Sequence, residues 1–401
     1  MLRKFLDKQG KAFEKGGRFE KLYPLYEAMD TFLYTPGHTT SKPAFVRDAV
    51  DLKRMMFTVV IALVPAILIG VFNVGYQANL AIAAGLSPLD NWQTALVQVL
   101  GVGFDPASIF ACFVHGLVYY LPILIVTFAV GGFWEVLFAA VRKHEVNEGF
   151  LVTGMLIPML VPATIPLWQV ALATSFGIVI GKEVFGGVGY NILNPALTAR
   201  AFLFFAYAKE ISGNAVWVAV DGYSSATPLA LAAEHGMDAL NGTTHLWYNS
   251  FLGYIPGSLG ETSVLACLIG AFILIITGVG SWRIMLAVVA GAFAMSTLFN
   301  AIGSDTNPMM AMPFQWHVVL GGFAFGTVFM ATDPVSAPAS NKARVIYGFL
   351  IGVLVILVRT VNPAYPEGMM LSILLMNVFA PLIDYYVVKA HKKKRMARYV
   401  G

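Results

Sequence analysis

Three carboxylates stand inside apolar runs: Glu135 in GGFWEVLFAA, Asp333 in ATDPVSA and Asp384 in PLIDYYVV. An ionised group at bilayer depth is costly and marks an ion pathway unless it sits at a solvated helix end. Both readings are open for Glu135 and Asp384. Asp333 precedes a proline and also fits the start of a turn. A further candidate is the hydroxyl run DGYSSATPLA, Asp221 to Ala230, which is small and polar between two greasy segments. By residue type alone Ser, Thr, Gly and Pro are ordinary loop residues, so context has to supply its chemistry. The glycines of GGVGYN (Gly186 to Asn191) suit a phosphate cradle. They lack the strand-to-helix setting of a dinucleotide fingerprint, which argues against NADH binding and for close helix packing. His115 and His317 lie in apolar runs, but no second matched pair completes a haem site. Cys112 and Cys267 are too few to hold an iron–sulfur cluster, which takes four thiolates.

The elements that carry these residues are membrane-grade. Of 401 residues, 58% are hydrophobic and 12% charged, against about 25% charged in an average soluble domain. The pattern predicts an all-α polytopic membrane protein with about ten transmembrane helices. They are expected near 55–74, 112–140, 150–163, 166–181, 196–208, 264–279, 284–303, 317–331, 345–361 and 369–388. Residues 1–54 are expected to form a charged cytoplasmic arm, 55–388 the transmembrane domain and 389–401 a basic cytoplasmic tail. Hydrophobicity begins near Met55, so no cleavable signal peptide is expected.

Of the 26 Lys and Arg, 11 precede residue 55, 6 follow Val388 and 9 lie between. Arg142, Lys143, Lys182, Arg283, Lys342, Arg344 and the tail Lys392–Arg395 fall on one side of these spans, whereas the opposite loops contain only Lys209. The positive-inside rule then puts both termini in the cytoplasm and the loop 209–263, with its hydroxyl run, outside. For a bacterial protein that means an inner-membrane chain with a periplasmic loop. Arg359 is the one dissenter. No interleaving of basic and aromatic residues suggests nucleic acid.

An internal repeat adds architecture. GMLIPMLVPATIP (Gly154 to Pro166) and GTVFMATDPVSAP (Gly326 to Pro338) share the pattern G-x7-P-x3-P, and each is followed by NPA, at Asn194–Ala196 and Asn362–Ala364. On the topology above the two copies face opposite sides, as in inverted-repeat transporters with broken helices. Two NPA motifs invite an aquaporin reading, but the length, the span number and the motif spacing disagree with it. A broader channel or transporter fold, similar to that of urea transporters, fits better. The Asn amide can also do no more than satisfy unwound backbone.

The hydroxyl run resembles the flavinylation sequence D-x-x-S/T-G/S-A-T, in which a flavin transferase joins FMN to the last Thr through a phosphodiester. Thr227 holds that position, with Asp221, Ser224, Ser225 and Ala226 before it. Together with GKEVFGGVGYNILNPALTARAFLFFAY, VGGFWEVLFAAVRKHEVNEGF, SDTNPMMAMP, FMATDPVSA, VNPAYPEGMM and LYEAMDTFLYTPG, it resembles the family of B subunits of sodium-translocating NADH:quinone reductases, from end to end. The related D subunits of Rnf complexes share the flavin and NPA segments. One departure is Ser225, where the family most often has Gly or Thr.

The resemblance implies a component of an electron-transfer complex that exports sodium. Electrons from NADH would enter through a partner carrying FAD and a 2Fe–2S cluster, and a second FMN-bearing protein would be another partner. Riboflavin, bound without a covalent link, is a further cofactor of the family, and ubiquinone its acceptor. The resemblance places quinone at Gly131 and Gly132, with Phe133, Glu135, Val146 and Phe150 as lining and Tyr23 and Glu27 of the arm nearby. Glu135, Asp384 and Asp333 are then the sodium-pathway candidates. A solute channel on the same scaffold, with no redox role, is the alternative. The loop around Thr227 is expected to be exposed and flexible, open to the transferase.

Overall fold

A computed structural model of the chain describes residues 2–10, 12–13, 17, 19, 23, 26–27, 30, 34, 52–143, 146, 149–213, 216–223, 226–241, 246–362 and 367–400. Ser224 and Ser225 of the hydroxyl run lie outside the described residues, as do Pro363 and Ala364 of the second NPA. Among the described residues regular structure is helical, with one isolated antiparallel bridge between Pro88 and Val220.

The first half runs α1 (Leu52–Ala83), α2 (Ile109–Arg142), α3 (Gly149–Met159), α4 (Leu167–Val179) and α5 (Pro195–Ala206). A long connection follows and contains α6 (Pro228–His235). The second half runs α7 (Val264–Ile276), α8 (Trp282–Ile302) and α9 (Phe314–Val319), then a turn Phe323–Phe325 that enters a π-helix Gly326–Met330. It closes with α10 (Asn341–Val361) and α11 (Met369–Val400). Among the described residues five helices are long and apolar enough to cross a membrane: α1, α2, α8, α10 and α11.

The other five expected spans are short or broken. α3, α4, α5 and α7 have 11, 13, 12 and 13 residues, below the roughly 20 that a bilayer core requires. The run 317–331 is divided among α9, a single turn and the π-helix. Proline is the cause in the first half: a ring inside a helix removes a donor and clashes with the preceding turn. Pro158 lies in the last turn of α3, Pro162 in the turn that follows, and Pro166 restarts the chain as the N-cap of α4. In the second half the matching stretch leaves the π-helix at Met330 and stays irregular until Asn341. Asn194 of the first NPA caps α5, its Oδ1 accepting from the N–H groups of Ala196 (3.0 Å) and Leu197 (3.3 Å).

Small residues set the helix contacts. A Cβ on Gly75 or Gly116 would strike the carbonyl of Cys112 or Val71, which fixes how closely α1 and α2 approach. Gly291, Gly348 and Gly352 do the same between α8 and α10. The halves meet where α7 packs on α1 and α11 on α5. Asp384, half-buried on α11, accepts from the N–H of Ala339 (2.6 Å), the N–H of Ser340 (3.0 Å) and Ser340 Oγ (2.6 Å). It therefore ties α11 to the start of α10 and to the segment that follows Asp333. The basic tail is a continuation of α11 through Val400.

Candidate functional site

Thr227 is the N-cap of α6, with Pro228 at the first helical position. Its Oγ1 accepts from the N–H of Ala230 at 3.3 Å, and the residue is half-buried. Thr227 is therefore half-buried, where a freely exposed residue is expected from the sequence. Thr-Pro is a helix-start pair, in which the hydroxyl takes an orphan donor and proline supplies the helical φ. The approach to it is also anchored: the Asp221 N–H donates to the Ser87 carbonyl at 2.8 Å beside the Pro88–Val220 bridge. The Asp221 side chain is exposed, and Ala226 is buried.

Thr227 lines a cavity of about 350 Å³ that takes residues from both halves, among them Arg200, Trp217, Glu261, Gly321 and Glu367. Arg200 Nη1 pairs with Glu261 Oε1 at 3.0 Å. Arg359 stands behind them, 1% exposed. Its Nη1 donates to the His317 carbonyl (2.7 Å), its Nη2 to the Leu320 carbonyl (2.9 Å) and its Nε to the Glu367 carbonyl (3.1 Å). The dissenting charge of the topology thus closes the carbonyl end of α9 instead of flanking a span. The Glu367 carboxylate accepts from the Gly322 N–H at 2.6 Å and lies 3.8 Å from Arg359 Nη2. Burial, reinforced by the neighbouring Glu261, raises Glu367 to about 7 against the pull of Arg359 and Arg200.

A second, narrower cavity of about 70 Å³ lies at the other end of α1 and α7. Met55 and Met56 line it with Lys182, Asn191, Asn194, Thr332 and Asp333. Here the two sequence repeats touch: Asn194 Nδ2 donates to Asp333 Oδ2 at 3.4 Å. Asp333 also accepts from Ser336 Oγ (2.7 Å) and the Val335 N–H (3.1 Å). Between the cavities stand Phe325 and Phe329, ring centroids 5.1 Å apart, with Leu156, Leu160 and Met330. These five side chains are buried, so an apolar stretch separates the charged groups of one cavity from those of the other.

Glu135 is buried and ion-paired with Lys182, itself buried. The other quinone candidates divide between two faces of α2. A Cβ on Gly131 would overlap the ring of Phe150, which is buried and sits edge-on to Phe128 at 5.5 Å. Gly131 and Glu135 therefore lie on the packed face of α2, with Phe150 of α3 against Gly131. Gly132 has open space around it and Phe133 is 59% exposed, so this pair faces away. Val146 is half-buried; in the arm, Tyr23 is exposed and Glu27 buried. His115 Nδ1 sits 2.7 Å from Asn79 Oδ1, the setting of a core histidine. Among the described residues no cluster of His, Cys, Asp and Glu suits a metal ion.

Sequence reading missed Arg200, Glu261 and Glu367, and saw Lys182 only as a flanking charge. The available signal was charge inside apolar stretches, which Arg200 and Arg359 both carry. The model of the NQR2, RnfD, RnfE family matches residues 39–393. The chain belongs to this family. It is 58% identical over 400 residues to the B subunit of the Na(+)-translocating NADH-quinone reductase of Pseudomonas aeruginosa (strain LESB58), with 99% of each chain covered. To the B subunit from Azotobacter vinelandii it is 58% identical over 403 residues, covering 100% of both. Its likeness to the Chromohalobacter salexigens counterpart is 57% over 397 residues, covering 99% of this chain and 96% of the other. Within the NQR2, RnfD, RnfE family the likeness is thus to B subunits along their full length.

Proposed function

We propose that the chain is the membrane-embedded B subunit of a bacterial sodium-translocating NADH:ubiquinone reductase, carrying FMN on Thr227 through a phosphodiester and conducting sodium between its two halves. The observation that carries this reading is the place of Thr227: a hydroxyl at a helix start, on the wall of a cavity that holds Arg200 and Trp217. The residues suit the group. A phosphate ester on Oγ1 would stand at the N-terminus of α6, where the helix dipole favours an anion. Trp217 offers an aromatic face to a planar ring, and Arg200 a cation. FMN supplies one- and two-electron redox chemistry when bound. The protein's own part is to orient it, to limit water with Pro228, Leu229 and Ile255, and to set the local charge through Glu261 and Glu367.

Sodium would use the two cavities in turn, through the charged side chains each holds. The one with Asp333 and Asn194 opens to the cytoplasm on the charge-bias topology, and the one with Thr227 to the periplasm. Carboxylate and amide oxygens suit a hard cation, and the apolar stretch around Phe325 and Phe329 prevents a leak. As inverted repeats, the two halves would each contribute one broken helix to alternating access. Asp384 acts at one remove, as a positioning residue for the segment after Asp333. Quinone would approach α2 at its outward pair, Gly132 and Phe133. The test is a denaturing gel of the complex under ultraviolet light, since only covalent flavin survives denaturation. The band of this chain should fluoresce, lose the signal in Thr227→Val and keep part of it in Thr227→Ser. A dark band in the parent protein would favour the solute-channel alternative.

A further inference from the structure

Lys182 is a buried cation to which the sodium route assigns no task. Its side chain is 3% exposed, and its Nζ pairs with Glu135 and, at 3.5 Å, with Glu183 Oε1. Arg142 holds Glu183 from the other side, Nη1 to Oε2 at 3.0 Å and Nη2 to the carbonyl at 2.6 Å. Among the described residues two carboxylates and two cations meet here, and Lys182 lines the same cavity as Asn191, Asn194 and Asp333. Without its charge, the carboxylates of Glu135 and Glu183 would lose the cation that lies between them. Such an imbalance is strongly unfavourable unless a proton or another cation takes the empty place. Sodium prefers hard oxygens, and the carboxylates of Glu135 and Glu183 supply them. The backbone beyond Lys182 turns through Gly186, Gly187 and Gly189 at φ of 123°, 98° and 91°, a conformation glycine adopts without strain. That glycine loop, which neither the flavin nor the quinone reading uses, also contributes Val188 to the cavity wall.

We propose that Lys182 is a tethered competitor for sodium: its ammonium fills the cation position between Glu135 and Glu183, and sodium reaches those carboxylates only when the ammonium withdraws. The inference rests on the sodium-pathway reading above. A resident cation keeps the carboxylates compensated while no sodium is present. It also keeps sodium from being held too tightly to move on, which conduction requires.

The test uses the assembled, purified complex, with sodium chloride titrated against choline chloride at constant ionic strength. In Lys182→Gln the sodium concentration giving half-maximal stimulation of quinone reduction should fall several-fold. The melting temperature of that variant should rise with sodium at concentrations that leave the parent unmoved, because a ligand of the native state stabilises it. Lys182→Arg, which keeps the charge, should resemble the parent. The double variant Glu135→Gln/Lys182→Gln should lose the sodium-specific stabilisation. If Lys182→Gln assembles poorly, its yield in sodium against choline decides: rescue by sodium supports the proposal, and equal loss in both salts overturns it. An unchanged sodium response in assembled Lys182→Gln also overturns it. Asp333→Asn separates the two levels. A defect there beside a parental Lys182→Gln rejects the competitor alone, and parental behaviour in both rejects the pathway.

Discussion

At the scale of single residues, adjacent glycines have opposite surroundings. Gly131 lies under the Phe150 ring and Gly132 faces open space. Gly131→Val must therefore displace Phe150 or part α2 from α3, an overpacking that costs about 1–3 kcal/mol. Gly132→Val meets nothing within the chain. It should leave the melting temperature of the complex unchanged while raising the quinone KM or altering inhibitor sensitivity. Gly131→Val should lower the melting temperature as well. Equal thermal losses in both variants would remove the assignment of Gly132 to an outward quinone face. The sequence made this pair legible as small and adjacent. It did not tell which glycine is packed, since the rotation of α2 is decided by partners such as Phe150 and Thr174 on other helices.

At the scale of elements, ion pairs and caps join segments distant in sequence. Asp384 and Ser340 are 44 residues apart, and three donors at the start of α10 meet the Asp384 carboxylate. Asp384→Asn replaces one acceptor oxygen with a donor, setting N–H against N–H. An unmet hydrogen bond of this kind costs about 1–3 kcal/mol. The segment after Asp333 should loosen, and the sodium needed for half-maximal stimulation should rise several-fold. Parental sodium dependence with a lowered melting temperature would leave Asp384 as an anchor only. Glu367 gives a pH test. Its carboxyl is raised from 4.5 to about 7, so in that window the native chain keeps a proton that the unfolded chain has released. Native stability should therefore fall as pH rises from about 4.5 to about 7, then level off. In Glu367→Gln that contribution to the slope of melting temperature against pH should vanish; an identical slope would contradict it.

The same scale shows where sequence reading reached its limit. The proline-rich stretch after Gly154 was legible as a break because proline acts locally. The number of spans was not, since hydropathy averages over the interruption at Pro158 and over the π-helix at Gly326–Met330. Thr227-Pro228 carried a readable helix-start signal, which the resemblance to a flavin-attachment sequence overshadowed. The ion pair of Glu135 with Lys182, 47 residues apart, has no local signature at all.

At the scale of the whole molecule, two cavities that each hold charged side chains lie toward opposite ends of the helices, with Phe325 and Phe329 between them. The redox reading and the ion reading meet at Thr227, because its cavity also holds Glu261 and Glu367. Charge on a group held there would act on nearby carboxylates through a medium of low dielectric, where Coulomb interactions are strong. The account therefore depends first on whether that residue carries the flavin. The direct measurement is mass spectrometry of the peptide containing Thr227, taken from the chain purified within its complex. The account predicts the mass of FMN joined through a phosphodiester, with fragment ions placing it on Thr227. An unmodified peptide, or a flavin located on another residue, would contradict it.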